Sequence, residues 1–337
     1  MRFDLYRFLV LIIVAALGWA GYWFVGAQQI KQNTLSWFES RQAAGWIARY
    51  DTFNLRGFPN RFDSSFTKIE LGEPAKGWSW SADFFHLFML SYKPNHVIAV
   101  WSPEQQIATP EIKIKLRSSD IRASIVVKNP VSLALERSSY EAQNLMLIGD
   151  NDTGLEADLV ALAVQRQKVD NKSYRIAVSA TGLRPLAATR VQIDPEALLP
   201  RQLEVLKADL TVAFDRPWDR SALETARPQP TDIELHLAQA RWGKLDLNFT
   251  GQLQIDAAGW PSGEIIVKAS NWRKILDLAR NSGKIPEQAI EFSRQALEFL
   301  ARLKGQDSYL DLGFTLRDRK IFLGPLTIAH APQLRLR

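Results

Sequence analysis

An uncharged apolar run, FLVLIIVAALGWAGYWFVGA at residues 8–27, constrains this chain more than any other stretch. Twenty residues at the helical rise extend about 30 Å, the thickness of a bilayer's hydrocarbon core. Arg2 and Arg7 stand on its N-terminal side, while Trp19, Tyr22, Trp23 and Phe24 crowd the other end. Basic residues favour the cytoplasmic face and amphipathic rings the headgroup level, so the run predicts the N-terminus inside and the bulk of the chain outside. Asp4 and Lys31 weaken that charge asymmetry. Two rivals exist: a buried core helix, and a signal peptide cleaved after the small residues of Val25-Gly26-Ala27. The length and the bulky aromatics favour a retained anchor over residues 1–27. Retained or cleaved, the run exports the rest of the chain.

With 337 residues in total, the chain leaves room after the anchor for one large or two medium domains, and its 46% hydrophobic content can fill a sizeable core. No cysteine occurs, which excludes a disulfide scaffold and every thiolate metal site. The net charge of +6 arises from 42 basic and 36 acidic residues. That mild excess suits anionic headgroups, but no Lys/Arg run is dense enough to track a nucleic acid.

Beyond the run, residues 28–48 read as a connecting helix with Ile30, Thr34, Trp37 and Phe38 on one face. Its polar face carries Glu39 and glutamines instead of a basic cluster, so the stripe is expected to pack beneath a sheet. Two extended segments then meet at Gly57-Phe58-Pro59. Proline removes a donor and forces its predecessor to extend, and glycine permits a bend closed to other residues, which predicts a corner or kinked edge strand. Phe58 is expected to turn inward, with Arg61 and Asp63 as a local ion pair.

These features in order, Gly57-Phe58-Pro59 followed by Arg61-Phe62 and then Ser91-Tyr92-Lys93-Pro94-Asn95, resemble the bacterial family of domain of unknown function 2125. The resemblance is densest from the anchor to Trp101. It implies a single-pass protein of the bacterial inner membrane with its C-terminal bulk in the periplasm. It brings no activity, substrate, cofactor or catalytic residue. Gly57, Phe58, Pro59, Arg61, Ser91, Tyr92, Pro94 and Asn95 are therefore expected to serve structure.

From Ile107 onward, period-two alternation dominates. Ile112, Ile114 and Leu116 form one strand face; Ile121, Ala123, Ile125 and Val127 form the next; Val131, Leu133 and Leu135 a third. The acidic cluster Asp150, Asp152, Glu156 and Asp158 lacks the oxygen ligand and the downstream glutamate of a calcium loop and reads as a polar turn. Residues 155–167 read as strand. Pro185, Pro195 and Pro200 punctuate an irregular stretch with a helical turn at 195–199, which divides a first β-rich region (49–200) from a second (201–337). In the second, Gly251 suggests a bulge inside a long strand. Asn271 is expected to cap the first arm of a helical hairpin over 271–304 that ends at Gly305. Its second arm, opened by Pro286, carries Ala289, Phe292, Ser293, Ala296, Leu300 and Leu303 along one side. Leu310 to Leu316 and the run 321–328 close the sheet.

The predicted architecture is mainly β (α+β): a transmembrane helix, then long antiparallel, curved sheets with a helical hairpin near the C-terminus. The GQLQIDAAGWPSGEI stretch and the hairpin resemble AsmA-like envelope proteins in pattern. No nucleophile elbow, phosphate loop, dinucleotide fingerprint or zinc-protease motif is present, and His86, His96, His236 and His330 are scattered. The expectation is a non-enzyme without metal or cofactor, partnered by the lipid bilayer. It would bind or pass lipid or another apolar ligand along a trough-like sheet. The alternative is a scaffold or assembly factor for envelope complexes, working through exposed edges.

Overall fold

The computed structural model describes residues 5–283, 286–304 and 309–336. Arg2, Gly305 and the side chains of Ala289, Phe292, Ala296, Leu300 and Leu303 lie outside what is described. The chain is mainly β with some helices. It divides into two compact units, Met1–Val126 and Val127–Arg337.

The first unit is built on α1 (Leu5–Ala43), one uninterrupted helix. The anchor and the connecting helix are thus a single element. The reason lies in the sequence, since no proline interrupts it and Gly18, Gly21 and Gly26 are all tolerated within a helix. After α1 come β1 (Ile47–Arg49), β2 (Thr52–Arg56), β3 (Arg61–Glu73), β4 (Trp78–Leu90), β5 (Lys93–Trp101), β6 (Glu104–Ala108), β7 (Lys113–Arg117) and β8 (Asp120–Val127). All pairings are antiparallel. β3 carries β1 and β2 on one edge and β4 on the other, and β4 hands over from β5 to β6 along its length.

Alternation along β3 puts Phe62 and Phe66 on one face, and α1 lies against that face. Phe38 is buried with Ala48, Phe66, Ile69 and Ala82, backed by Tyr50, Phe53 and Phe85. The stripe expected to pack beneath the sheet does so through Phe38, whereas Trp37 stays exposed under the Arg41 guanidinium, 5.5 Å from its ring.

The second unit is an antiparallel meander. Its strands are β9 (Leu135–Ile148), β10 (Gly154–Arg166), β11 (Ser173–Thr181), the two-residue β12 (Arg184–Pro185), β13 (Val205–Phe214), β14 (Pro230–Trp242), β15 (Leu245–Ile255), β16 (Pro261–Ser270), β17 (Tyr309–Arg317), β18 (Lys320–Leu323) and β19 (Leu326–His330). Each long strand pairs with the next. Helices α2 (Ala187–Ile193), α3 (Arg220–Glu224), α4 (Trp272–Asn281) and α5 (Glu287–Lys304) interrupt the order.

Several expectations are corrected here. The contacts do not divide near residue 200, because β13 pairs with β11 through the register Ser173↔Ala213 to Ala180↔Leu206. The helix in that stretch is α2; residues 195–199 instead wrap the buried Asp194 carboxylate, which accepts from the backbone N–H groups of Leu198 (3.1 Å) and Leu199 (3.0 Å). Val131 and Leu133 belong to a loop, since the Asn129 side chain accepts from the N–H groups of Val131 and Ser132 and turns the chain before β9 begins. Asn271 stands at the N-cap position of α4, but its side chain caps no helix N–H: its backbone is left-handed and its side-chain amide donates to the Lys244 carbonyl. The run 321–328 is two strands, folded at Gly324 with φ of 58°.

Other readings match. Residues 155–166 of the stretch read as strand are strand, and the hairpin α4–α5 covers the sheet, burying Trp272 with Ala269, Leu310, Leu312 and Leu323 while Ile275, Leu276 and Leu297 pack alongside. Gly251 stands beside a bulge, where the β14–β15 register jumps between Leu235 and Ala238. A Cβ at Gly251 would lie 2.3 Å from the Glu264 carbonyl oxygen, so the neighbouring strand can approach only a glycine.

Candidate membrane interface

The residues quoted for the family resemblance converge at one end of the first unit. Gly57, Phe58, Pro59 and Asn60 make the β2–β3 turn, in which the Phe58–Pro59 peptide is cis and the Asn60 N–H donates to the Gly57 carbonyl at 3.1 Å. Gly57 has φ of 108°, and Arg61 backbone sits 2.7 Å from where its Cβ would be. Ser91 and Tyr92 make the β4–β5 turn, and Pro94 and Asn95 lie at the start of β5. Ser91 staples the two turns together. Its N–H donates to the Asn60 carbonyl (2.9 Å) and its hydroxyl to the Pro59 carbonyl (3.1 Å), and the residue is fully buried. Arg61 pairs with Asp63 at 3.0 Å, as the sequence suggested, and its guanidinium lies over Phe88.

Into this pair of turns the aromatic end of α1 is seated. Trp19 Nε1 donates to the Pro59 carbonyl (3.1 Å), Tyr22 Oη to the Ser91 carbonyl (2.7 Å), and Trp23 Nε1 to the Arg61 carbonyl (2.7 Å). The Trp23 ring stacks on Phe62, with centroids 5.6 Å apart and planes 20° apart. One turn on, a Cβ at Gly26 would come 2.9 Å from the tip of the Phe62 ring, so the glycine sets how closely helix and strand meet. These three donors and the glycine share one helical face, at spacings of three and four residues. In the sequence they read only as a headgroup-level belt. The spacing of Trp19, Trp23 and Gly26 was the available signal for a docking face.

Phe58 corrects its expectation. It is 53% exposed, not turned inward, because Phe62 already fills the inner side beneath Trp23. Its ring instead leans on the outer flank of α1, 5.4 Å from Trp23 and 5.5 Å from Phe24. Among the described residues one helix, α1, is long and apolar enough to cross a membrane; its most apolar stretch has a mean hydropathy of 2.2 and is 6% buried.

The second unit holds a different feature. Register places Tyr140, Leu162, Val178 and Ala208 in one row across β9, β10, β11 and β13, with Leu206 two residues along on the same face. Three segments cover other parts of that face. Trp218 lies over Tyr174, Val212 and Phe214; α4 and α5 lie over the β15–β18 end; Ala331 and Leu334 lie over Leu253 and Leu316. Between them Leu162, Val178 and Leu206 remain 37%, 39% and 38% exposed. Across the same strands, residues that alternate onto the opposite face, among them Ala161, Ala163, Ala177 and Asp209, help to line a shallow depression of about 400 Å³, and Asp209 is held below the usual carboxylate range by the Arg175 guanidinium, 2.6 Å away. The sequence pattern gave the strands but not this bare strip, because which part of an apolar face is covered is decided by distant segments.

The cluster at 150–158 is spent on structure: Asp150 and Asp152 lie in a single 3₁₀ turn, and Glu156 and Asp158 pair with Arg184. Among the described residues, no three His, Asp or Glu side chains converge to hold a metal ion. His86 has an orphaned Nδ1 between the Phe84 and Phe88 rings, and burial pushes its imidazole below its ordinary value.

Compared with known families, residues 23–332 match the one described as uncharacterized protein conserved in bacteria, DUF2125. The chain belongs to this family. The matched region opens at Trp23, inside the docking face of α1, and contains both turns. No curated protein and no solved structure matches the chain.

Proposed function

We propose that this DUF2125 protein is a non-enzymatic, single-pass protein of the bacterial inner membrane that holds its sheets in the periplasm and shelters an acyl chain on the bare strip of the second unit. The observation that carries the reading is the uncovered patch of Leu162, Val178 and Leu206 on a sheet face otherwise roofed on several sides. Exposed apolar surface bounded by covered core and polar flanks marks a contact site, and an acyl chain fits a shallow apolar strip better than a polar metabolite does.

Support for the anchor comes from the seat. Cleavage after Ala27 would remove Trp19, Tyr22 and Trp23 and leave the carbonyls of Pro59, Ser91 and Arg61 without those donors. Orientation follows from Arg7 at the start of the run and the aromatic rings at its far end.

The test uses the full chain in nanodiscs with a photoactivatable diacyl phospholipid. Crosslinks on peptides from β10, β11 and β13, reduced several-fold by Val178→Asp, are the expected result. Crosslinks confined to α1 would refute acyl binding by the strip.

A further inference from the structure

The helix is usually the whole of a single-pass tether, yet here the bare part of it is too short. Residues 6–19 of α1 are exposed all round, and from residue 20 onward one side of the helix is covered. Fourteen residues give about 21 Å, against a hydrocarbon core of about 30 Å. The polypeptide that first touches the helix, at Trp19, is the β2–β3 turn. If α1 spans the bilayer, that turn lies at or inside the headgroup boundary of the leaflet on the sheet's side.

The chemistry of the turns suits that depth. Phe58 and Tyr92, at the two tips, are 53% and 63% exposed, and they flank the exposed Tyr22 and Phe24 of the helix. Exposed rings at one level around a membrane helix are what headgroup-level anchoring requires. Backbone polarity is the usual obstacle to inserting a turn, since each unsatisfied carbonyl in an apolar medium costs several kcal/mol. Here five of the turns' carbonyls have partners. The carbonyl of Pro59 accepts from Trp19 and Ser91, that of Arg61 from Trp23, that of Ser91 from Tyr22, and those of Gly57 and Asn60 from backbone N–H groups. Exposed Lys93 and Arg61 stand beside the tips, where phosphate groups would lie.

We infer that the β2–β3 and β4–β5 turns are interfacial anchors, with Phe58 and Tyr92 inserted among the lipid headgroups and upper acyl chains beside α1. The sheet of the first unit is then gripped by the membrane at three points, which fixes the tilt of β3 and β4 relative to the bilayer. The inference rests on the membrane-spanning reading of α1 and is independent of lipid binding by the second unit.

Because the chain contains no cysteine, single spin labels can be placed on the full protein in vesicles of phosphatidylethanolamine and phosphatidylglycerol. Labels at Asn60→Cys and Lys93→Cys leave both rings intact. Lys76→Cys, at the opposite end of β3, reports the aqueous level, and Leu11→Cys reports the helix. The expected result is a ratio of oxygen to nickel-chelate collisions several-fold higher at 60 and 93 than at 76, and falling toward the aqueous value when Phe58→Ser and Tyr92→Ser are combined. Aqueous values at 60 and 93 with a lipid value at 11 overturn the inference while leaving the span intact. An aqueous value at 11 overturns both.

Discussion

The hydroxyl of Tyr22 donates to the main-chain carbonyl of Ser91, 2.7 Å away and 69 residues further along the chain. A residue that composition assigns to a bilayer's aromatic belt is thereby part of a sheet's hydrogen bonding. Because Ser91 in turn holds the Pro59 carbonyl and the Asn60 backbone, one phenol links the helix to both turns.

Tyr22→Phe is expected to keep the ring and lose the bond, lowering unfolding stability of the detergent-solubilised protein by about 1 kcal/mol. Gly26→Val should act more strongly. Its side chain meets Phe62, which is itself buried and has no free direction to move, so a loss of roughly 1–3 kcal/mol is expected. Urea midpoints of the two variants, followed by the β-sheet circular dichroism signal, check the order.

In the second unit, Gly251→Ala places a methyl group against strand backbone, 2.3 Å from the Glu264 oxygen and 2.8 Å from the Ile265 Cα. Backbone cannot rotate aside as a side chain can, so the variant should lose at least about 1–3 kcal/mol. Hydrogen exchange should locate the damage at the β14–β16 amides. Unchanged protection there would contradict the close-approach reading.

Tyr174 is buried, and its hydroxyl accepts from the Trp218 backbone N–H at 3.2 Å. Burial also raises its own ionisation above the usual phenol range. Tyr174→Phe leaves that N–H unpaired and should cost about 1 kcal/mol, loosening the segment that roofs Val212 and Phe214. Proteolysis near residue 218 should accelerate in the variant.

His86 predicts a pH dependence. Its folded-state value is lowered by burial, so the unfolded chain takes up a proton first as pH falls below about 6.5. Stability therefore drops with acidification through the window below that value and levels off only beneath the folded-state value. His86→Phe removes the titration and fills the same stack between Phe84 and Phe88. Between neutral pH and the onset of carboxylate titration, the wild-type midpoint should fall while the variant's holds; parallel curves would contradict this.

Strands were legible in the sequence wherever one face is buried and the other wet, as in β13, β15 and β16, because alternation there reports burial directly. Phe58 was misread for the opposite reason: its aromatic character implied an interior, and only the prior occupation of that interior by Phe62 and Trp23 turns it outward. Asn271 and Asn129 show the same limit in miniature. Both are turn formers by type, but which backbone group each side chain reaches, the Lys244 carbonyl or the N–H groups of Val131 and Ser132, depends on neighbours far along or just ahead in the chain. The motif residues were visible as a set, while their role in seating α1 was not, because the partner face at Trp19, Trp23 and Gly26 is hidden inside an apolar run whose length already had an explanation.

Anchoring and the seating of the two turns both require that α1 remain part of the molecule. Intact mass spectrometry of the protein extracted from bacterial membranes measures this in one step. The predicted result is a chain that retains residues 8–27 and with them Trp19, Tyr22 and Trp23; a mature protein beginning at Gln28 would contradict it.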